Sequence, residues 1–527
     1  MKKFLPWLFC VLAGTQMFSG YVGHNRFFLE WFFLVPLLWA IRDASPGRAF
    51  LMGWTAGTIG HAGLFYWIAH MLTTFARLAP VFSVAGLIVF AALNGLSYAI
   101  ITWAICRLRL SRGWSVWWTA PFVWTAVENV YPFIFPNYIG ASQYLLLPLT
   151  QIADITGILG ISFLLIWCNS TFYTVLESLM KHRKIPIKTV AVFLAAITVT
   201  VIYGTTRIKQ VDAEVKAAPK IRTMMVQAGL GEATKYNDPL GFLKLHINMT
   251  QEAISKKPAD DIDLVIWPES VSIYPLSRKL KKLPSDLFGN IGKPLLFGTL
   301  TAERNHGKIQ RYVSAMLADE QNAVTGLYDK RNLVPFAEDI PLGDIFPELY
   351  DWLPYTSRFR PGKSPAPLHF KNYRLSLNIC YEDLFHRLVR QNMIAGIPDD
   401  KEPPHAMVNL TNDSWYGDTV EPLEHLVSAS FRSIEHRRAL VRSTNTGISA
   451  IIDPVGRLDQ RTGQWTKETL TGEVPMMSGR TFFSYAGNWF GWSITAFVLA
   501  LIVFTFYPFD QTGKKHSGND KRKASNR

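Results

Sequence analysis

Three short segments in the second half of the chain carry side chains that could do chemistry together. In the first, an apolar run at 264–267 ends at Pro268, and Glu269 follows directly. Proline cannot donate to a sheet ladder, so we predict that Glu269 stands at the carboxyl-terminal edge of a strand. A glutamate in an ordinary turn has the same local pattern. A turn residue without a catalytic role is the favoured interpretation if the segment is taken alone.

The second segment, 328–338, places opposite charges on the two sides of a short apolar stretch. Lys330 precedes residues 333–336, and Glu338 follows them. The same pattern is typical of surface charge around a buried turn. This segment therefore gains meaning only in combination with the others.

The third segment, 375–383, contains Cys380 at the expected junction of a strand and a helix. Side chains alternate between the two faces of a strand, and Glu382 and Asp383 then suit the positive end of a helix dipole. Such a junction exposes a nucleophile and can favour its thiolate form. A buried structural thiol is the alternative. No second cysteine lies in 205–487, so a disulfide within that segment is excluded.

The elements that must position these residues divide the chain into an apolar part and a part of ordinary soluble composition. Hydrophobic residues make up 49% of the 527 residues and charged residues only 18%. The apolar residues cluster in runs near the length of a membrane-spanning helix, about 20 residues. The composition predicts a polytopic α-helical membrane bundle of about eight spans, at 4–19, 27–41, 50–72, 80–104, 114–136, 157–178, 188–204 and 488–508.

The predicted spans define four regions of the chain. We expect a membrane domain of seven spans, an extramembrane domain, an eighth span and a basic cytoplasmic tail, at 1–204, 205–487, 488–508 and 509–527. The basic start of the first run is also compatible with a signal peptide.

The basic residues set the expected orientation. Lysines and arginines are concentrated in alternate short loops and at both chain ends, as in the cytoplasmic segments of membrane proteins. We therefore expect both termini in the cytoplasm and the 205–487 domain on the opposite side. The net charge of +14 is then a sign of topology and not of nucleic-acid binding.

Within 205–487, short apolar strands alternate with helical stretches, which predicts layered α/β sheets. Helices are expected at 240–256, 382–396 and 422–437. Strands are expected at 222–227, 263–267, 294–299, 312–317, 323–327, 374–379, 406–410, 440–443 and 450–452.

Together the three segments resemble the nitrilase, or carbon–nitrogen hydrolase, superfamily, whose signature is a Glu-Lys-Cys triad in this chain order. The resemblance implies an αββα sandwich and assigns the triad to Glu269, Lys330 and Cys380. In that triad Glu269 would take the thiol proton as general base, and Lys330 would stabilise the negative charge of a tetrahedral intermediate. Cys380 would carry a thioester. No metal or other cofactor is implied. Further matches lie at 225–227, 412–417, 442–447 and 453–457.

A nitrilase-like domain between a seventh and an eighth span is similar to the bacterial apolipoprotein N-acyltransferases over nearly the whole chain. The resemblance implies transfer of an acyl chain from a phospholipid to the α-amine of a diacylglyceryl-cysteine at a lipoprotein's N-terminus. It also implies an inner-membrane location with a periplasmic catalytic domain, and supporting roles for Glu338, Tyr381 and Glu382. The motifs that carry it lie at 135–143, 328–338, 380–382 and 412–415.

Three positions depart from the family pattern. Ala337 stands where a glycine is usual, Tyr236 where we align a tryptophan, and Asn137 where an aromatic residue is more usual. These departures leave the triad intact. They concern loop contacts and the preference for an acceptor.

Two other functions fit parts of the sequence. The same triad with water as acceptor would make a membrane-bound amidase, although a simple tether needs only one span. A transporter with an extracytoplasmic binding domain is the other alternative. Transporters place ionisable residues within their spans, whereas the spans here hold few, at Glu30, Glu128 and Glu177.

The alternation of basic loops generates a prediction about topology. Reporter fusions after Lys184 and after Gly231 should report opposite sides of the membrane, since one predicted span separates them. Fusions reporting the same side would contradict this orientation.

Overall fold

The computed structural model describes residues 4–256, 261–305, 307–353, 356–394 and 402–507. The predicted tail at 509–527 lies outside these residues. A helical part comes first, an α/β part follows, and one further apolar helix closes the described chain. The helices of the first part are α1 (Leu5–Gly20), α2 (Leu34–Ile41), α3 (Pro46–Leu64), α4 (Trp67–Thr74), α5 (Pro80–Arg112), α6 (Val116–Val130), α7 (Leu147–Thr150), α8 (Ala153–Thr156), α9 (Leu159–Met180) and α10 (Ile187–Ala217).

Within the described residues, α5, α9 and α10 are long and apolar enough to cross a membrane. The segments Phe27–Ile41 and Trp489–Phe504 are apolar but shorter. The bundle of about eight spans therefore stays a prediction. The run expected at 50–72 is not one helix, because α3 ends at Leu64 and α4 begins at Trp67.

The helices α3 and α5 pack closely because glycines face each other between them. A Cβ added at Gly57 would lie 2.9 Å from the Cα of Gly95. One added at Gly53 would lie 2.5 Å from the carbonyl oxygen of Tyr98. Small residues at such positions let two helix backbones approach closely. In a membrane, where the hydrophobic effect does not drive helices together, such close packing stabilises helix pairs.

The α/β part contains two sheets. The first has the strand order β13-β1-β2-β4-β5-β6, with β3 pairing beside β4, and the second has the order β12-β11-β10-β9-β8-β7. The strands are β1 (Lys220–Gln227), β2 (Leu264–Ile266), β3 (Ser272–Ser277), β4 (Leu295–Asn305), β5 (Lys308–Ala318), β6 (Val324–Asp329), β7 (Leu368–Phe370), β8 (Tyr373–Ile379), β9 (Ala406–Thr411), β10 (Leu440–Thr444), β11 (Ala450–Ile452), β12 (Gln460–Arg461) and β13 (Glu468–Pro475).

Helices cover the outer faces of the two sheets and make the αββα layering that the resemblance implied. Leu264 and Ile266 of β2 point to the core between the sheets, whereas Val265 and Trp267 point to the outer core. Both faces are thus buried, which explains the continuous apolar runs of these strands. The helices of this part are α11 (Glu232–Asn237), α12 (Pro239–Ser255), α13 (Ser285–Phe288), α14 (Leu349–Trp352), α15 (His386–Ile394), α16 (Glu421–His436) and α17 (Phe482–Ala486), and α18 (Trp489–Phe504) follows.

The structure matches the expected strands but corrects one helix. Each strand expected from the sequence has a counterpart, while β3, β7, β12 and β13 were missed. The helix expected at 382–396 is wrong at its start: Cys380–Leu384 forms a 3₁₀ turn, and α15 begins only at His386. Glu382 is therefore not a dipole partner at a helix end; it lies inside the turn.

Candidate active site

The candidate residues meet because the strands that carry them end at one edge of the sandwich. Strands β1, β2 and β4 run parallel, as do β8, β9 and β10. Glu269 follows β2, Lys330 follows β6, and Cys380 follows β8. Crevices outside the carboxyl ends of such strands are the usual ligand sites of α/β sheets.

A close backbone approach fixes Glu269. The amide of Gly298 on β4 donates to the carbonyl of Pro268 at 3.0 Å. A Cβ at Gly298 would lie 2.5 Å from the Cα of Glu269, so only glycine fits there. This contact holds the segment that leaves β2 against the neighbouring strand and directs Glu269 to the edge.

Lys330 is the centre of the site. Its ammonium, 1% exposed, donates to Glu269 Oε1 at 3.1 Å and to Glu338 Oε1 at 2.7 Å. Burial disfavours the charged ammonium, but the two carboxylates outweigh it and raise the pKa of Lys330 well above its ordinary value. The lysine is therefore a fixed positive charge in a dry site, where an electrostatic interaction is stronger than in water.

The carboxyl of Glu269 is tuned toward accepting a proton. Burial raises its pKa; Lys330 opposes that rise, while Glu338 adds to it. A carboxylate with a raised pKa is a stronger base than a free glutamate and suits general-base chemistry near neutral pH. Lys235 on α11 also acts on Glu269 electrostatically. Tyr236 beside it is 58% exposed, and Glu269 acts on it electrostatically, so α11 borders the site.

Cys380 is buried, which corrects the expectation of an exposed nucleophile. The residue is 4% exposed and has a left-handed φ of 55° at the first position of the 3₁₀ turn. Burial raises the pKa of its thiol well above the ordinary value, and Glu269 adds to the rise while Lys330 opposes it. The thiol is therefore protonated at rest. It needs a base within reach, and Glu269 is close enough to act on it electrostatically.

Glu382 ties the cysteine turn to the lysine segment. Its Oε1 accepts from the amides of Arg331 at 2.6 Å and Asn332 at 2.9 Å. Its Oε2 accepts from the amide of Ile379 at 2.7 Å and from the hydroxyl of Tyr328 at 2.9 Å. Burial raises the pKa of Glu382 to about 7, although the backbone donors oppose the rise. Each oxygen thus has two donors, and the carboxylate fixes Lys330 relative to Cys380.

The other two predicted supporting residues also contact the lysine segment. Glu338 Oε2 accepts from the amide of Val334 at 2.8 Å. The hydroxyl of Tyr381 donates to the carbonyl of Leu333 at 2.6 Å, and its ring centroid lies 5.7 Å from the Lys330 ammonium. The structure therefore brings the six predicted residues into one neighbourhood, and their catalytic roles stay predictions.

A second buried network lies behind the cysteine turn, and the sequence interpretation missed it. Asn409 donates to the carbonyl of Cys380 at 2.8 Å and to Asp383 at 2.6 Å. His425 on α16 contacts Asp383 at 2.8 Å and Asp413 at 3.2 Å. Arg442 pairs with the same two carboxylates. Polar residues at otherwise apolar strand and helix positions are the signal that could have revealed this network.

The network is ionic, although its donor set resembles a metal site. The ligand atoms of Asp413, Glu421 and His425 lie within 4.8 Å of one another. Yet the Arg442 guanidinium lies 2.9 Å from Asp413 and supplies the positive charge there. Burial and Arg442 oppose protonation of His425, but the aspartates outweigh them and raise its pKa to about 9. Asn409 and Asp383 connect these residues to the Cys380 turn, so we assign them to positioning that turn.

The helical part supplies one wall of the site. The ring of Trp67 packs on Tyr416 with 4.9 Å between centroids, and Phe135 lies 6.4 Å from Tyr381. Trp67 and Phe135 belong to the apolar part of the chain, while Tyr381 adjoins Cys380. The candidate catalytic residues therefore lie where the two parts meet.

Comparisons with known proteins give one family match for each part of the chain. Residues 13–171 match the apolipoprotein N-acyltransferase N-terminal domain, and residues 222–482 match the carbon–nitrogen hydrolases. The second match and the two-sheet fold define the class of the catalytic part as a carbon–nitrogen hydrolase domain. Among solved structures, Nit3 of Saccharomyces cerevisiae is 18% identical and covers 49% of this chain and 90% of that chain, with a TM-score of 0.37.

Whole-length relatives identify the family. The apolipoprotein N-acyltransferase of Geobacter metallireducens is 28% identical over 516 residues, which is 95% of this chain and 95% of that protein. The one from Bdellovibrio bacteriovorus is 27% identical and covers 94% of this chain and 92% of that protein. The chain belongs to the apolipoprotein N-acyltransferase family.

The hydrogen bonds of Glu382 generate a prediction. Glu382→Gln should reduce activity by at least about tenfold and lower stability by about 1–3 kcal/mol, because an amide nitrogen would face two donors. The measurements are turnover and thermal unfolding of the purified protein. Glu252→Gln, on the exposed face of α12, is the matched control and should change neither. Unchanged turnover in Glu382→Gln would show that this carboxylate does not position the site.

Proposed function

We propose that this protein transfers an acyl chain from a phospholipid to the α-amino group of the diacylglyceryl-cysteine at the N-terminus of apolipoproteins. The observation that carries the proposal is a buried ammonium, Lys330, held between two carboxylates beside a buried thiol. This arrangement suits acyl transfer through a thioester. Membership of the family supports the identity of the acceptor.

In the first half-reaction, the thiol of Cys380 gives its proton to the carboxylate of Glu269 as the sulfur attacks the ester carbonyl of the phospholipid. The oxygen of that carbonyl becomes negative in the tetrahedral intermediate, and the Lys330 ammonium stabilises it. When the intermediate collapses, the ester C–O bond breaks. The departing lysophospholipid oxygen takes the proton from Glu269, and a thioester remains on Cys380.

In the second half-reaction, the amine of the apolipoprotein attacks the thioester. Glu269 takes a proton from the attacking nitrogen, Lys330 again faces the oxyanion, and the C–S bond breaks. The sulfur of Cys380 recovers the proton from Glu269. One acyl group has then moved from oxygen to nitrogen, and the enzyme has returned to its starting state.

The aromatic wall supports a transferase over a hydrolase. An acyl-enzyme must survive until the second lipid arrives, so water must be kept from it. Trp67 and Tyr416 pack against each other over this region, and Tyr381 packs on Phe385 with 5.2 Å between ring centroids. Trp67 of this wall belongs to the apolar part, so both lipids can reach the site from the membrane.

The basic loops support the location. We place the protein in the bacterial inner membrane with the α/β domain in the periplasm, where the amino terminus of an apolipoprotein and the outer leaflet of that membrane are both accessible. Helix α10 continues without a break from an apolar span candidate to Ala217, three residues before β1.

The covalent step is testable by intact mass. Mixed with phospholipid alone, the wild-type protein should gain one acyl mass that hydroxylamine removes. Cys380→Ala and Glu269→Gln should gain none, because the nucleophile or the base is lost while the shape of the site is kept. Release of lysophospholipid that strictly requires the acceptor, with no labelled enzyme, would contradict the two-step mechanism. Turnover with water alone would favour the amidase.

The charges around Glu269 predict the pH dependence. Activity should rise with pH through the pKa of Glu269, because only its carboxylate form accepts a proton, and this acid limb should lie above the ordinary glutamate value. Glu338 raises that pKa. The limb of Glu338→Gln should therefore move to lower pH even if its maximal rate falls. A limb that does not move would assign the ionisation to another group.

A further inference from the structure

A small cavity lies in the helical part of the protein, beside the loop that follows α6. Its volume is about 20 Å³. Residues of α1, α3, α5 and α6 line it, together with Phe133, Asn137 and Ile139 after α6. A cavity can hold a water molecule when its volume reaches about 10–15 Å³ and two to four polar groups face it. This cavity therefore has room for one water molecule.

Three residues that line the cavity each carry a buried polar atom without a hydrogen-bond partner in the part of the chain that the structure describes. These atoms are Glu128 Oε2, Trp124 Nε1 and Asn137 Oδ1. Glu128 is only 7% exposed and Trp124 only 3%. A buried polar atom left unpaired is costly, and such atoms in proteins are nearly always paired with a protein group or an ordered water. The three atoms therefore point to a ligand in the cavity.

The hydrogen-bonding roles of the three atoms identify that ligand. The indole nitrogen of Trp124 can only donate, whereas the carboxylate oxygen of Glu128 and the amide oxygen of Asn137 accept. One water molecule can accept from the first atom and donate to the other two. A metal ion or an ammonium group would face the hydrogen of the Trp124 indole, whose partial positive charge repels a cation. The set of partners thus favours water.

The other oxygen of Glu128 connects the cavity to the wall of the candidate active site. Glu128 Oε1 accepts from the amide of Ile139 at 2.8 Å, at the end of the loop that follows α6. Phe135 of this loop packs on Trp67 with 5.2 Å between ring centroids, and its ring lies 6.4 Å from that of Tyr381. A carboxylate that is held at both oxygens fixes this loop, and with it the wall beside Tyr381.

We propose that the cavity binds one structural water molecule, and that Glu128 and this water position the loop that carries Phe135. Trp124 lies one turn before Glu128 on α6, so the two side chains share a face of that helix. Asn137 belongs to the loop itself. The water therefore joins the helix to the loop, and Glu128 acts through the loop as a positioning residue. The water site is independent of the proposed acyl transfer.

The test of the water site is an electron cryomicroscopy map of the full-length protein in lipid nanodiscs, at a resolution that shows ordered water. Wild type should show one peak within hydrogen-bond distance of Glu128 Oε2, Trp124 Nε1 and Asn137 Oδ1. The double variant Trp124→Phe/Asn137→Leu removes two of the three partners, so its map should lack the peak. Glu128→Gln should keep the peak, because a water molecule can also accept from the new amide.

Two results would overturn the water site. One is a wild-type map without the peak, or with side chains in contact where the water is expected. The other is a peak that persists unchanged in the double variant. If the double variant did not fold, the wild-type map would decide the outcome. Asn305→Leu, at an exposed position of the β4–β5 hairpin, is the matched control and should show the same peak as wild type.

The positioning role has a separate measurement, the lifetime of the acyl-enzyme, and this part rests on the proposed function. Loss of the water should loosen the wall beside Tyr381 and admit solvent. The acyl-enzyme of the double variant should then hydrolyse about tenfold faster than that of wild type. Glu128→Gln and Asn305→Leu should match wild type. An equal lifetime in the double variant would overturn the positioning role. If wild type formed no acyl-enzyme, the proposed function would fail, while the map would still decide the water site.

Discussion

The rest of this structure depends on keeping one ammonium ion dry. An unpaired charge in the interior of a protein is so costly that it must be paired and hydrogen-bonded or neutralised. Lys330 meets that requirement through Glu269 and Glu338, which come from different segments, so those segments must converge. The two sheets bring these segments together, because each segment follows the end of a strand. The backbone bonds of Glu382 then remove the remaining freedom between the lysine and the cysteine.

The same dryness explains the division of labour among the groups. A buried thiol is seldom ionised, since burial raises its pKa. The site compensates by raising the pKa of the neighbouring carboxyl as well, so that proton transfer between Cys380 and Glu269 becomes less uphill. In the proposed reaction the fixed positive charge of Lys330 stands where negative charge develops. The nucleophile is activated during that proposed reaction and not beforehand, which also protects the thiol from unwanted oxidation.

Much of the site could be predicted from sequence because the chemistry-bearing residues stand at strand ends. Pro268, the apolar run before Cys380 and the order of the triad all point to one edge of a sheet. The sequence left open whether Cys380 is exposed or buried, because its surroundings include groups distant in the chain, such as Phe135 beside Tyr381. The network around Asp383 was missed for a similar reason: an isolated polar residue on an apolar element does not reveal its partner.

The two-sheet fold was easier to predict than the membrane part. Apolar runs bounded by turn residues identify strands one at a time, so the outer strands β12 and β13, which lack such runs, were missed. In a sequence, length and hydropathy are the only signs that distinguish a spanning helix from a buried one. Short apolar helices such as α1 and α6 do not show these signs clearly enough to be assigned. The break between α3 and α4 was also not predicted, because no proline marks it in the sequence.

In the proposed reaction, the length of helix α16 affects which ester bonds can reach Cys380. At its first turns, His425 contacts the network behind Cys380. After its last turn, Arg437 has a φ of 50° and binds Asp154 and Gln151 of the apolar part. The helix is thus a spacer of about 24 Å between the turn of Cys380 and the segment of the apolar part that holds Gln151 and Asp154. On the proposed reaction, this fixed spacing sets the height above the bilayer that the ester carbonyl of a lipid must reach.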